Sequence, residues 1–347
     1  MLTTDTESSS LDSAFPTTFT WDYDRARAGL DKLYEKAKAN QWNASTDLDW
    51  TIDVDPEKDV VEGAEAMGLP VGWQARRLAD IDGSPIASWG DDEFLRFALE
   101  NQKASMSQFL HGEQGALLCT SRLVESVPWI DAKYYASTQV IDEARHVEVF
   151  ARYSHEKLGG TYPINPDLNR LLSEVITDDR WDIVYLGMQV VIEGLALSAF
   201  GMMRHSTKEP LLSDLLRYVM ADEARHVAFG ILSLEEFYAG LSAAEIKERQ
   251  EFCYAAVDHM RRRTINEEMW EALGVDTKWL METVLAMPVQ RELQGLLFSK
   301  IVPNCKKLGL LDAGDGWLRD KFTEINIIRF EDAPAGDELL EMPEIAV

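Results

Sequence analysis

The hexapeptide DEARHV occurs at residues 142–147 and again at 222–227. A lone acid precedes each copy inside a largely apolar stretch: Glu113 in GEQGALL and Glu193 in QVVIEGLALSAF. Each lies 30 residues before the glutamate of its hexapeptide, Glu143 or Glu223, and corresponding residues of the two halves are 80 apart. The repeat therefore covers a whole helix pair. Pro128 stands midway between Glu113 and Glu143, and the break STKEP, with Pro210, straddles the midpoint between Glu193 and Glu223. A helix rises about 1.5 Å per residue, so a chain that runs about a dozen residues to a turn and as far back returns to its starting height. The acids of each pair then face one another across an antiparallel hairpin. Two such hairpins packed together form a four-helix bundle with four carboxylates inside.

The remaining chain predicts an all-α protein in which this bundle, residues 91–240, is flanked by further helices. Residues 1–20 read as a disordered leader. Residues 21–90 hold a helix over 22–40 and an irregular wrap with short helices, anchored by Trp42, Trp50, Trp73 and Trp89. In the bundle, 91–127 and 129–158 form the first hairpin, ending at Gly159–Gly160. A loop containing Pro and Asn leads to the apolar helix from Asp179 and, after Pro210, to the fourth. Additional helices are expected over about 243–272, 276–285, 287–308 and 314–328, with 241–330 as a C-terminal unit. The acidic, Pro-bearing 331–347 reads as a flexible tail.

A net charge of −26 and a pI near 4.6 argue against nucleic acid or an anionic membrane as partner. Cys119, Cys253 and Cys305 show neither CxxC spacing nor an even count, which favours inert thiols over disulfides or zinc. The N-terminus has no basic start or apolar run, and no window approaches about 20 uninterrupted apolar residues. A cytoplasmic location is the expectation.

Within each DEARH the Glu and His stand at i and i+3, on one helix face: Glu143 with His146, and Glu223 with His226. One such pair is usually a solvated face. A lone acid in VVIEGLAL is different, because an unpaired buried carboxylate costs on the order of several kcal/mol. Four acids and two imidazoles at matched spacing are the carboxylate di-iron or di-manganese arrangement of helical bundles. A metal-bound His usually donates its free ring N–H to a carboxylate. Asp142 and Asp222 point away from their own His, so each is expected to serve the His of the opposite hairpin, with Arg145 and Arg225 balancing the aspartates.

The chain resembles the ferritin-like carboxylate-bridged diiron oxidases and oxygenases over about residues 91–240. The DExRH form is similar to multicomponent monooxygenase hydroxylases and acyl-carrier-protein desaturases. The resemblance implies that Glu113 and His146 sit on one iron, that Glu143 bridges, and that Glu193, Glu223 and His226 serve the other. Some subgroup marks are missing. Phe150 stands where ribonucleotide reductase small subunits carry a radical Tyr, and Leu197 where multicomponent monooxygenases often carry Thr. Val219 stands where arylamine N-oxygenases of this fold bring an extra His. Storage ferritins are shorter and lack the repeated ExxH.

The expected activity is that of a diiron oxidase or oxygenase that activates O2 to hydroxylate, desaturate or N-oxygenate a mostly apolar or aromatic molecule. The alternatives are a metal-handling ferroxidase or peroxidase, and a radical-generating subunit like that of ribonucleotide reductase. The implied cofactor is two iron ions, with a manganese–iron pair as the variant. The implied partners are an external electron donor (a ferredoxin or a reductase) and a second copy in a homodimer. Residues one turn from the ligands are the expected pocket lining: Ala116, Leu117, Gln139, Phe150, Gln189, Leu197, Val219 and Gly230.

Overall fold

The computed structural model describes residues 9–284, 287 and 295–339. Among these residues every regular element is helical. Three helices precede the bundle: α1 (Ala28–Ala39), α2 (Pro56–Ala66) and α3 (Trp73–Ala79). The α1 helix starts later than the 22–40 expectation. Leu30, Leu33 and Ala37 of that stretch are buried and Tyr34 packs against the same core, while the charged run before Ala28 forms no regular element. Residues 13–20 lie against residues 122–128, where the Thr18 N–H donates to the Glu125 carbonyl at 3.0 Å.

The first hairpin is α4 (Asp91–Ser126) and α5 (Ile130–Glu156). Asp91, Asp92 and Glu93 occupy the first turn of α4, where the helix dipole favours acids, and Glu93 accepts the Gly90 N–H at 2.8 Å. Next comes α6 (Pro166–Thr177), in the segment expected to be a loop. Its Pro and Asn are the start signals of a helix: Asn165 caps the Asp167 and Leu168 N–H groups, and Pro166 takes the first position.

The second hairpin is α7 (Trp181–Ser206) and α8 (Pro210–Tyr238). Residues Leu186–Ile192 of α7 wind as a π segment that ends directly before Glu193. By length and composition α7 is apolar enough to cross a membrane, yet its apolar window is wholly buried by the other helices, as a bundle's core helix is. Glu209 opens α8 by accepting from Leu211 and Leu212 N–H at 2.7 and 2.6 Å.

Beyond the bundle come α9 (Ala243–Arg263), α10 (Glu267–Ala272), α11 (Thr277–Val284), α12 (Ile301–Lys307), α13 (Trp317–Glu324) and a short α14 (Gly336–Leu339). The single helix expected over 243–272 is interrupted because Asn266 adopts a left-handed φ of 54°. Of the helix expected over 287–308, residues 288–294 lie outside the described residues, as does 285 of the preceding one. Within the segment read as a tail, Gly336 packs on Val227 of α8 and donates its N–H to Asn304 at 2.8 Å. Residues 340–347, and 1–8 of the leader, lie outside the described residues. All three cysteines are free and buried.

Candidate dimetal centre

The four bundle helices bring the six acid and imidazole side chains to one height, all nearly inaccessible to solvent. Two donor sets form, each with its ligand atoms within 4.8 Å of one another: Glu113, Glu143, His146 and Glu223, and then Glu143, Glu193 and His226. Glu143 belongs to both. His146 Nδ1 lies 3.2 Å from Glu113, 3.4 Å from Glu143 and 3.1 Å from Glu223. His226 Nδ1 lies 3.1 Å from Glu143, 3.6 Å from Glu223 and 4.0 Å from Glu193. Glu223 was expected on the His226 side alone. Its two oxygens instead face the two histidines, and its ligand atoms complete the His146 set, which leaves Glu143 as the acid common to both sets.

The other ring nitrogens face outward. His146 Nε2 meets Asp222 at 3.2 Å, and His226 Nε2 meets Asp142 at 3.4 Å. Arg145 donates to Asp142 and, at 3.1 Å, to Asp222; Arg225 donates to Asp222 and, at 3.4 Å, to Asp142. The hexapeptides thus exchange aspartates across the bundle, and two arginines neutralise the pair.

Sequence reasoning passed over the two residues that close this network. Gln41 donates to Asp142 at 3.1 Å and accepts from Arg145 at 2.5 Å. The Trp42 indole N–H donates to Asp222 at 2.8 Å, while its ring stacks on Tyr218. Both come from the irregular segment after α1, where no periodicity marks them. Gln139 donates to Glu143 and Glu193, each at 2.9 Å, and so holds two acids of the second set in place.

Electrostatics shows what the cluster lacks. Burial and the charge of Glu223 push the Glu113 carboxyl up to about 8. Burial drives Glu193 up as well, and the charge of Glu143 adds to it. Burial would raise Glu143 too, but His226 and His146 outweigh it and hold that carboxyl low. Both imidazoles are pushed well above their usual range, because the carboxylate partners overcome burial. Among the buried atoms with no hydrogen-bond partner are Glu143 Oε2, Glu193 Oε2, Glu223 Oε2 and His226 Nδ1. A concentration of unmatched buried acceptors is costly by itself and fits cations at its centre. The oxygen-rich set with one imidazole per side suits iron or manganese.

Of the eight expected lining residues, only Ala116 borders the space beside the cluster, a void of about 20 Å³ that also touches Glu113, Glu193 and Glu223. Phe150, Leu197 and Val219 are packed in a core with Trp42 and Trp50. Gln189 is buried in the π segment against Gly230, Gln139 is engaged by the acids, and Leu117 is half-buried on the outer part of α4. Helical spacing gives the height of a residue but not the side on which a bundle opens. The opening is a cavity of about 480 Å³ between α2, α3, α4, α7 and the turn after α9. Gln108, Phe109 and Arg263 border both spaces.

Fold and cluster together define a ferritin-like dimetal oxidase. The family model of the p-aminobenzoate N-oxygenase AurF matches residues 124–309, more than half of the chain, and the chain belongs to that family. The matched region includes Glu143, His146, Glu193, Glu223 and His226; Glu113 lies before it. As a member of this family it is an O2-dependent dimetal oxidoreductase. The DExRH form pointed towards other subgroups, and Val219 still stands where arylamine N-oxygenases bring a further His. Similar solved structures include three mutant forms of an R2-like ligand-binding oxidase with an anaerobically reconstituted Mn/Fe cofactor. They are 20%, 21% and 20% identical, with TM-scores of 0.52, 0.51 and 0.50. Each alignment covers 82% of this chain and 94% of the other, and the likeness is one of fold. No curated protein matches.

Proposed function

We propose that the chain N-oxygenates an aromatic amine at a dinuclear iron site, for which a manganese–iron pair is the variant. The family match carries the reaction type. The cavity supports an organic substrate: about 480 Å³ is within the range of small-molecule sites, and metal storage would need no such space. Phe97, Phe109, Leu195 and Met203 give it an apolar wall suited to a ring.

Glu113, Glu143, His146, Glu193, Glu223 and His226 would hold the metals, with Glu143 shared. The bound pair supplies O2 activation, and the protein supplies position and dryness. Asp142 and Asp222 orient the imidazoles through their Nε2 atoms. Gln139 fixes two carboxylates, and the tightly packed Phe150, Phe200 and Phe109 exclude water on one side. Electrons would come from an external donor such as a ferredoxin or a reductase.

The test is to load the protein with ferrous iron, supply reductant and O2, and analyse the products from p-aminobenzoate and other anilines by mass spectrometry. Hydroxylamine, nitroso or nitro products, absent with Glu143→Ala, are expected. Oxygen uptake indifferent to every amine, or oxygenation at carbon alone, would overturn the reading.

A further inference from the structure

Gly112 stands on α4 directly before Glu113, half-buried, and a Cβ built on it meets nothing within 4 Å. Other glycines of the bundle are explained by packing. An added Cβ would collide with Leu172 at Gly115, with Val175 at Gly187 and with Gln189 at Gly230. Gly112 has no such neighbour, and its φ is not positive, so its backbone does not call for glycine either. Inside a helix glycine is less favourable than alanine. The residue therefore weakens its helix and fills no contact; what it leaves is space.

That space is the void beside the cluster. Gly112 and Ala116 border it from α4, Ile192 and Ala196 from α7, around the acids Glu113, Glu193 and Glu223. About 20 Å³ is room for one group the size of a water molecule. Two of the acids on its wall carry buried oxygens with no hydrogen-bond partner, Glu193 Oε2 and Glu223 Oε2. The sequence repeat is broken at this point. Each lone acid has an alanine three residues later, but the residue before it is Ile192 in the second hairpin and Gly112 in the first. One turn back from Gly112, Gln108 and Phe109 border both the void and the cavity of about 480 Å³. A side chain on a helix leans over the turn N-terminal to it. Any side chain at position 112 would thus lie over Gln108 and Phe109, across the junction of the two spaces.

We infer that Gly112 sets the width of the passage from the cavity to the dimetal centre, and so limits the bulk of the group that reaches the metals. An aromatic ring stays in the larger cavity, while a small terminal group such as a primary amine enters the void. Gly112 is a specificity-determining residue, acting by the side chain it lacks. This role rests on the dimetal site and the substrate cavity proposed above, but not on which atom is oxidised.

Its test is azide binding to the full-length, iron-loaded protein in the ferric state, followed by the visible absorption that azide gives on ferric iron. The wild type, Gly112→Ala and Gly112→Leu are compared, with iron content measured for each. The wild type should bind azide, Gly112→Ala should bind it more weakly, and Gly112→Leu at least tenfold more weakly, at unchanged iron content. Should Gly112→Leu lose iron, Gly112→Ala decides, because its one added carbon meets open space. Gly112→Ala should also melt no lower than the wild type, whereas a glycine kept for close packing would lower the melting temperature. No azide binding by the wild type, or the same affinity whatever stands at position 112, would overturn the inference. Graded azide affinity without any oxidised amine would sink the proposed reaction and leave Gly112 standing. N-oxygenation with azide affinity indifferent to position 112 would do the reverse.

Discussion

His146 Nε2 and Asp222 Oδ2 stand 3.2 Å apart, although they belong to different copies of the same hexapeptide. The mirror contact, His226 to Asp142, is 3.4 Å. With Nε2 committed to an aspartate, each imidazole turns Nδ1 to the acids at the centre. The shell that orients the site is therefore also what ties hairpin to hairpin.

Removing the charge of one aspartate should loosen its histidine across the bundle. Asp222→Asn is expected to lower metal affinity by ~10–100-fold, the usual effect of losing such a partner. Competition with a chelator measures this, and unchanged affinity would count against the orienting role.

The two donor sets share Glu143, while Glu193 belongs to one. Elemental analysis should therefore separate two variants. Glu193→Ala should lose metal mainly from the His226 set, whereas Glu143→Ala should empty both. Equal occupancy in the two variants would contradict the shared position.

Stripping the metal should lower thermal stability, since the unmatched acceptors of Glu143, Glu193 and Glu223 then stay buried without cations. Metal at ~100 times its Kd adds ~2.7 kcal/mol per site. A melting temperature unmoved by chelation would mean that the cluster binds no metal in solution.

Trp42 reaches the site from outside the bundle, donating to Asp222 at 2.8 Å. Trp42→Phe keeps an aromatic ring against Tyr218 but loses a hydrogen bond to a charged acceptor, a change of ~1.5–3 kcal/mol. Denaturant titration would read it; a loss below the error of that titration would show the contact to be dispensable.

Gly230 of α8 packs on the π segment of α7, where an added Cβ would come within 2.6 Å of the Gln189 Cβ. Neither atom is the end of a flexible chain, so the helices must separate. Gly230→Ala should destabilise by ~1–3 kcal/mol. An unchanged unfolding midpoint would show that the interface gives way freely.

The sequence by itself determined the four-helix core, its hairpin order and the six side chains at its centre. Those depend on spacing along single helices, and 3.6-residue periodicity with Pro128 and Pro210 as turn marks makes such spacing readable. The paired use of Asp142 and Asp222 followed from the same register. Only the tertiary structure decided that Glu223 faces both histidines, that Gln41 and Trp42 complete the aspartate network, and that the bundle opens beside Arg263 rather than beside Phe150 or Val219. A rotation of one helix about its axis leaves every residue at its height and changes which neighbour it meets. Gln41, Trp42 and Arg263 also come from segments outside the repeat, so no pattern in their own surroundings marks them. Their positions exist only once the helices have packed.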